Sequence, residues 1–234
     1  MLWKAYVANI SRRKFLISAA ALPLAAIIPL QASAANSVIH DWQGIVTINK
    51  KALTRTTIIH SGDEIIISPD GKLVFSIGED AFLVRAGSIL QLYSEENNVL
   101  VSVLRLVTGA MLGVFGKRKT TTRIFTATAT IGIRGTAVYV AVTPEKLYTC
   151  TCYGHTDLIV GLNKADVIAT HHNAHEVTTG KNGNAQMKAF EVLDHNDDEL
   201  RMLEALVGRK PLFDSQVWCL RIKVAVKFFL QAWV

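Results

Sequence analysis

Five residues in the second half of the chain have side chains that bind soft and borderline metal ions. Cys150 and Cys152 are two positions apart, and His171, His172 and His175 follow them further along. On a β-strand, residues i and i+2 lie on the same face, about 6.6 Å apart, so both thiols can point the same way. Two sulfurs and two imidazoles form a Cys₂His₂ set that suits zinc or copper. A metal site of Cys150, Cys152, His171 and His172 is therefore one hypothesis.

The histidines do not all fit this site equally well. Adjacent residues on a strand point to opposite faces, so only one of His171 and His172 can join the thiols unless this region is a loop. We expect His172 to do so, with His171 or His175 as the fourth ligand. The sequence leaves two other interpretations open. The cysteines could form a redox pair or a local disulfide in an oxidising compartment, or they could be small core residues beside a solvated polar loop.

The sequence lacks the common catalytic motifs. It contains no H-E-x-x-H zinc-protease pattern, no G-x-S-x-G nucleophile elbow, no phosphate-binding Walker loop and no G-x-G-x-x-G. Serine, threonine and aspartate are abundant, but their spacing singles out no triad. We therefore expect a protein that is not an enzyme. A hydrolase or redox enzyme built on the cysteine–histidine cluster would need an open coordination position that holds water.

The elements that position these residues are predicted to be strands. Short apolar stretches with β-branched residues run from Ser37 to Val167, and turn residues such as those of Ser68–Gly71 interrupt them about every 8–12 residues. This pattern predicts an all-β fold, either a β-sandwich or a short β-solenoid. We place the β domain at residues 36–190.

One segment has helical rather than strand periodicity. Between Asn196 and Val207, apolar residues recur at the spacing of one helical face. Asp197 and Asp198 lie in the first turn, where acidic residues are favourable, and Gly208 and Pro211 follow the last turn. The sequence therefore predicts a short C-terminal amphipathic helix packed on the β core, within a closing segment of residues 191–214.

A glycine-marked corner is the most distinctive local pattern. Residues 129–142 read ATIGIRGTAVYVAV, a strand, a bend and a second strand that is apolar on both faces. Glycine lets the backbone adopt positive φ or approach another chain segment closely, so Gly132, Arg134, Gly135 and Thr136 form the predicted bend. We expect the second strand to be covered on both sides. The five donors of Arg134 can brace carbonyls or a carboxylate inside the fold, or contact a ligand carboxylate.

Both ends of the chain differ from the predicted domain. Residues 1–35 contain SRRKFL, which resembles a twin-arginine motif, then an apolar run and the A-x-A site Ala32–Ala34. We expect a cleaved twin-arginine-type signal peptide and a periplasmic protein; an uncleaved anchor or an ordinary secretion signal is the alternative. Residues 215–234 alternate apolar and cationic residues and form a divergent tail. This tail could add an edge strand, lie on a membrane surface or stay disordered.

The charge of the chain excludes nucleic acid as an expected partner. The formal net charge is +6, but Lys4, Arg12, Arg13 and Lys14 lie in the leader, and the tail carries further basic residues. The predicted domain between them is about neutral and shows no basic face. Membrane contact is expected only through an uncleaved leader or through the tail.

The corner and its surroundings resemble a known family. IGIRGT followed by an apolar strand resembles the signature of FecR-like domains, which are bacterial cell-envelope domains named for the regulator of ferric-citrate uptake. The similarity extends from about Trp42 to Val160. It includes, in the expected order, GIVTIN (Gly44–Asn49), His60–Ser88, VTGAMLGVFG (Val107–Gly116) and TATATIGIRGTAVYV (Thr126–Val140). TCTCYG (Thr149–Gly154) and Asp194–Phe213 resemble a branch of short, exported, single-domain proteins.

The resemblance implies a function without catalysis. It implies an exported signalling or envelope module that binds a small ligand or an envelope protein, with exposed strand edges available for β-augmentation. The membrane-spanning anti-sigma regulators of the family carry a cytoplasmic helical segment before the apolar leader, and we expect none here, which argues against direct control of a sigma factor. The alternative is a metal-binding or metal-sensing variant that uses Cys150, Cys152 and His172.

Overall fold

The computed structural model describes residues 37–94, 102–119, 121–179 and 185–214. The predicted signal peptide and the predicted tail lie outside the described residues. The strands in chain order are β1 (Ser37–Gln43), β2 (Val46–Ile48), β3 (Lys51–Ala52), β4 (Glu64–Ile67), β5 (Lys72–Ile77), β6 (Asp80–Val84), β7 (Ile89–Tyr93), β8 (Val103–Val114), β9 (Thr122–Phe125), β10 (Thr130–Ile133), β11 (Ala137–Val142), β12 (Lys146–Val160), β13 (Asn163–Ala169), β14 (Asn173–Thr179) and β15 (Ala185–Phe190). The helix α1 spans Asp197–Leu206.

The strands form two sheets that share two long strands. Sheet A has the order β1-β5-β6-β8-β11-β12-β14-β15. Sheet B has the order β3-β2-β4-β7-β8-β9-β10-β12-β13. β8 begins in sheet B and ends in sheet A, and β12 begins in sheet A and ends in sheet B. Each of these strands therefore crosses from one sheet to the other.

Glycines with positive φ mark both crossing points. Gly109 in β8 has φ +84°, and Gly154 in β12 has φ +90°. A Cβ on Gly109 would lie 2.2 Å from Ser88 Oγ, and one on Gly154 would lie 2.7 Å from Thr136 Oγ1. A side chain at either position would therefore need both a disfavoured backbone conformation and space that is already filled.

The interior between the two sheets is apolar. Fully buried side chains come from sheet A and sheet B alike, among them Leu73, Phe75, Ile65, Leu90 and Ile124. Phe75 stacks on Phe82 with ring centroids 4.9 Å apart. Two sheets made mostly of antiparallel strands enclose one core, so the fold is an all-β sandwich. The all-β class and the short C-terminal helix are confirmed.

The helix covers the outer face of sheet A. The side chain of Asn196 caps it by accepting hydrogen bonds from the backbone of Asp198 and Glu199, and Glu199 completes the capping box. Leu200 and Leu203 are fully buried. They join an outer cluster on sheet A, whose members include Val74, Leu83, Leu112, Val114, Tyr139, Cys150 and Cys152.

The predicted corner connects the two sheets. β10 lies in sheet B and β11 in sheet A, so the chain changes sheets at Arg134–Thr136. Gly135 has φ +64°. Five of the six β11 residues are buried, which confirms that this strand is covered on both faces.

Among the described residues, no helix has the length and apolar content that a membrane crossing needs.

Candidate metal centre

Both cysteines of β12 point into the outer cluster of sheet A. Cys150 and Cys152 are fully buried, and both are free thiols. The pairing of β11 with β12 shifts next to them: Ala137 pairs with Tyr153 and Val138 with Thr151, which leaves Cys152 as the extra residue of a bulge. The sequence-based expectation that both thiols share one face of a strand agrees with this arrangement.

His172 reaches the thiols from a turn. It lies between β13 and β14 with φ +50°, and its backbone nitrogen donates to the carbonyl oxygen of Cys152 at 2.8 Å. Its Nδ1 is 3.6 Å from Cys150 Sγ, and its Nε2 is 3.0 Å from Asp197 Oδ1. The hydrogen bond to β12 positions the turn, so His172 takes the place that the sequence assigned to it.

The fourth side chain is His195, which sequence reasoning missed. It lies just before the cap of α1 and is 8% exposed. Its ring stacks on Tyr139 with centroids 4.6 Å apart, and its Nδ1 is 2.7 Å from the carbonyl oxygen of Leu193. Its Nε2 is buried and has no hydrogen-bond partner among the described residues.

The expectation that His171 or His175 completes the set is corrected by the geometry. His171 is half-exposed, packs against Phe213 and places its Nε2 2.9 Å from Asp197 Oδ1. His175 lies in β14 next to Ala174, which pairs with Cys150 and belongs to the outer cluster. Because neighbouring strand residues point to opposite faces, His175 faces away from the thiols.

Four donor groups therefore converge under α1. One donor atom each of Cys150, Cys152, His172 and His195 lies within 4.8 Å of the others. With metal–ligand bonds of the usual length, the ligand atoms of a tetrahedral zinc site are about 3.3 to 3.8 Å apart. The four side chains would thus close around an ion with displacements of about 1 Å or less.

The outward nitrogen of each histidine is already held. We assign His172 Nδ1 and His195 Nε2 as the inward atoms, because His172 Nε2 is hydrogen-bonded to Asp197 and His195 Nδ1 to the carbonyl of Leu193. Carboxylate and carbonyl acceptors of this kind orient metal-binding histidines and fix their tautomers. The arrangement therefore includes, besides the four ligand side chains, the surrounding hydrogen bonds that orient histidines in metal centres.

Electrostatics favour a thiolate at Cys150. A hydrogen bond from Cys152 lowers the pKa of Cys150, and His172 and His195 lower it further. Burial raises the pKa of Cys152. The hydrogen bond to Cys150 and then that to Asp197 raise the pKa of His172. A lowered pKa at Cys150 favours its thiolate, which is the form that binds metal.

The donor set fits a closed site rather than a catalytic one. Two cysteines and two histidines fill a tetrahedral shell and leave no protein-made opening for a reacting water. Zinc is the metal that most often takes tetrahedral S₂N₂ ligands, and soft thiolates also bind Cu(I). The arrangement can hold an ion and join the segments that supply its ligands.

The corner residues form a separate, structural cluster. Arg134 Nη2 is 2.8 Å from Asp157 Oδ2; the Arg134 side chain is 52% exposed and that of Asp157 is 9% exposed. A Cβ on Gly132 would lie 3.3 Å from Asp157 Cβ, so the glycine admits this carboxylate closely. Thr136 is fully buried where β12 crosses between sheets. The geometry corresponds to the bracing interpretation of Arg134.

Comparisons with known proteins identify few similar chains. No protein-family model matches the chain, and no curated protein matches it. Two crystal structures of a protein from Parabacteroides distasonis ATCC 8503, named "putative anti-sigma factor", are similar at 12% sequence identity with a TM-score of 0.47. The alignment covers 55% of this chain and 60% of those structures, so the chain spans less than two thirds of their length.

Proposed function

We propose that this protein is an exported, non-enzymatic binding module of the FecR-like kind that holds one transition-metal ion, zinc or copper, with Cys150, Cys152, His172 and His195. The observation that carries the proposal is the convergence of four donor atoms within 4.8 Å of one another, two of them on buried thiols and one the buried Nε2 of His195. A bound metal ion would satisfy this nitrogen and both sulfurs at once.

The metal-binding proposal accounts for the site better than a core of two small cysteines does. An unsatisfied buried polar group costs about 1–3 kcal/mol, so such groups are rare without a ligand or an ordered water. A core interpretation explains the burial of the thiols but not the convergence of two histidines whose outer nitrogens are held in place. A redox pair would likewise need neither histidine in this orientation.

The setting of the module is proposed from the leader and the corner. The twin-arginine-like leader supports export to the periplasm, and the IGIRGT corner supports the FecR-like assignment with a role in signalling or in the envelope. An envelope protein or a small ligand would be its partner. The Arg134–Asp157 pair uses the corner for bracing, which leaves the cysteine–histidine cluster as the chemical centre.

Metal content tests this function directly. We expect protein purified from the periplasm, or protein reloaded with Zn²⁺ or Cu⁺, to carry one metal ion per chain by elemental analysis. Cys150→Ser and Cys152→Ser each keep the size of the side chain and should lose the metal. His171→Gln is the matched control, because His171 lies beside the site without being a proposed ligand, and it should keep full occupancy.

A count of reactive thiols completes the experiment. Both cysteines should react with a thiol reagent once a chelator has removed the metal and the chain is unfolded, which would exclude a disulfide between them. Metal content that is unchanged in both serine variants would contradict the proposal, as would wild-type protein that takes up neither ion.

A further inference from the structure

We infer that the metal ion fastens the C-terminal segment 191–214 to sheet A, so that metal binding and the docking of α1 are one linked equilibrium. The inference rests on the proposed function. It follows from the origin of the ligands: Cys150 and Cys152 come from β12 and His172 from the turn before β14, whereas His195 comes from the segment. Asp197, which holds His172, also belongs to the segment.

The far end and the middle of the segment have their own anchors on the sandwich. Leu200 and Leu203 bury their side chains in the outer cluster. The hydroxyl of Tyr153 donates to Glu204, and Arg209 Nη1 donates to the carbonyl oxygen of Glu79 at 2.6 Å. These contacts need no metal, so we expect the helix to dock measurably in the metal-free protein.

The near end combines contacts that need no metal with the metal site: the hydroxyl of Tyr148 donates to the carbonyl oxygen of Glu191 and accepts a hydrogen bond from the backbone nitrogen of Leu193. His195 is held by stacking on Tyr139, and Asp197 by hydrogen bonds with His171 and His172. Arg85 adds an ion pair with Glu199 at 2.8 Å, and it also donates to the carbonyl oxygen of Asp194. Without an ion, the inward nitrogen of His195 has no partner among the described residues, and this weakens docking at the beginning of α1.

The size of the coupling between metal binding and docking of α1 follows from the metal affinities of the docked and detached states. When the segment detaches, His195 leaves and only three ligands remain, so the detached state binds the ion more weakly. A ligand that binds one state alone suppresses the other by a factor of 1 + [L]/Kd, which is about 100-fold at 100 times Kd. Residual binding by three ligands reduces this factor. The coupling is reciprocal: at saturating metal the factor reaches the ratio of the dissociation constants of the detached and docked states, and detaching the segment lowers metal affinity by that ratio.

Amide hydrogen exchange on the purified full chain measures this coupling. The protein is compared with and without Zn²⁺ at 100 times the Kd obtained by chelator competition. We expect exchange of amides in residues 195–206 to slow by between about 10-fold and 100-fold. Reference amides in β4 and β7, on sheet B, should change much less, because their exchange does not require the segment to detach.

A matched pair of variants separates the ion from the packing. His195→Phe keeps a ring on Tyr139 but has no donor atom, and it should abolish the zinc-dependent slowing while lowering zinc affinity at least about tenfold. His171→Gln removes a hydrogen bond to Asp197 without removing a ligand and should keep most of the slowing. If His195→Phe does not fold, hydrogen exchange of the wild-type protein with and without Zn²⁺ tests the inference by itself.

The outcomes distinguish the inference from the function beneath it. Absence of zinc binding in the wild type would refute the proposed function and the inference with it. Stoichiometric zinc binding with unchanged exchange in residues 195–206 would refute the inference alone. The inference would also fail by itself if zinc slowed exchange in sheet B and α1 equally, or if His195→Phe kept wild-type zinc affinity.

Discussion

Replacement of Arg134 tests whether the corner is a structural brace. Arg134→Met keeps most of the aliphatic stem but removes the guanidinium that lies 2.8 Å from Asp157 Oδ2. Asp157 is almost completely buried, so its carboxylate would lose its closest cationic partner in a place where water cannot fully replace it. We therefore expect a loss of folding stability and no change in metal content.

The magnitude follows from the exposure of the two partners. Exposed ion pairs contribute about 0–1 kcal/mol, and breaking a buried pair costs about 3–5 kcal/mol. Arg134 is 52% exposed, and Lys164 Nζ remains 3.4 Å from Asp157 Oδ1 after the substitution. Both facts move the expected cost toward the lower range, to about 1–2 kcal/mol. Arg134→Lys keeps the charge without the planar fork and should cost less.

The pH dependence gives the prediction its sign. Burial alone would raise the pKa of Asp157, but side-chain hydrogen bonding with Asp166 and hydrogen bonds donated by Arg134 and Lys164 hold that pKa below its usual value. A carboxyl with a lowered pKa in the folded state contributes stability that is complete above its unfolded pKa of about 3.9 and disappears as the pH falls through the folded value. The difference between wild type and Arg134→Met should therefore be constant near neutral pH and shrink below about pH 4.

Urea unfolding followed by circular dichroism measures this difference at several pH values. Both proteins are compared at one zinc concentration, and Asp157→Asn closes a double-mutant cycle with Arg134→Met. A stability difference that is equally large at pH 3 and pH 7 would show that lost packing, not charge, is responsible. A difference in unfolding free energy below about 0.3 kcal/mol at neutral pH would refute the bracing role. Contact with a ligand carboxylate would then be the better interpretation of Arg134.

The remaining predictions concern the crossing of β12 and the docking of α1. Gly154→Ala forces a residue with Cβ to φ +90° and against Thr136 Oγ1, so it should cost about 2–4 kcal/mol in the same unfolding assay; a cost under about 1 kcal/mol would mean that the crossing point relaxes easily. Leu203→Ala removes a fully buried side chain on the face of α1 that packs against sheet A, and it should cost about 2–5 kcal/mol. Met202→Ala, on the exposed side of the same helix, should stay within about 0.5 kcal/mol of wild type, and equal losses for the two would contradict the helix orientation.

Much of the fold could be predicted from local patterns. Alternating apolar residues and turn residues indicate strands, and the cap residue Asn196 with Gly208 marks the beginning and end of the helix. The glycine pattern of the corner indicates where the chain changes direction, and the structure has the sheet change there. These features depend on neighbours within a few residues, which is the range over which backbone propensity and side-chain periodicity act.

The composition of the metal centre could be predicted only in part. The two-residue spacing of Cys150 and Cys152 places both thiols on one face, because strand geometry alone determines this. The choice between His171 and His172 could not be settled by strand parity, since both lie in a turn and His172 has positive φ. The hydrogen bond from the His172 backbone to Cys152 positions the turn, and the hydrogen bond between His172 Nε2 and Asp197 orients the ring toward the thiols.

The sequence by itself determined the β class, the amphipathic helix and the shared face of the two thiols, because each follows from short-range periodicity. The tertiary structure alone decided the fourth donor. His195 lies far from Cys150 along the chain, and no local spacing relates the two residues. They meet because the apolar face of α1 packs across the outer face of sheet A, and that long-range packing carries the preceding residue onto the thiols.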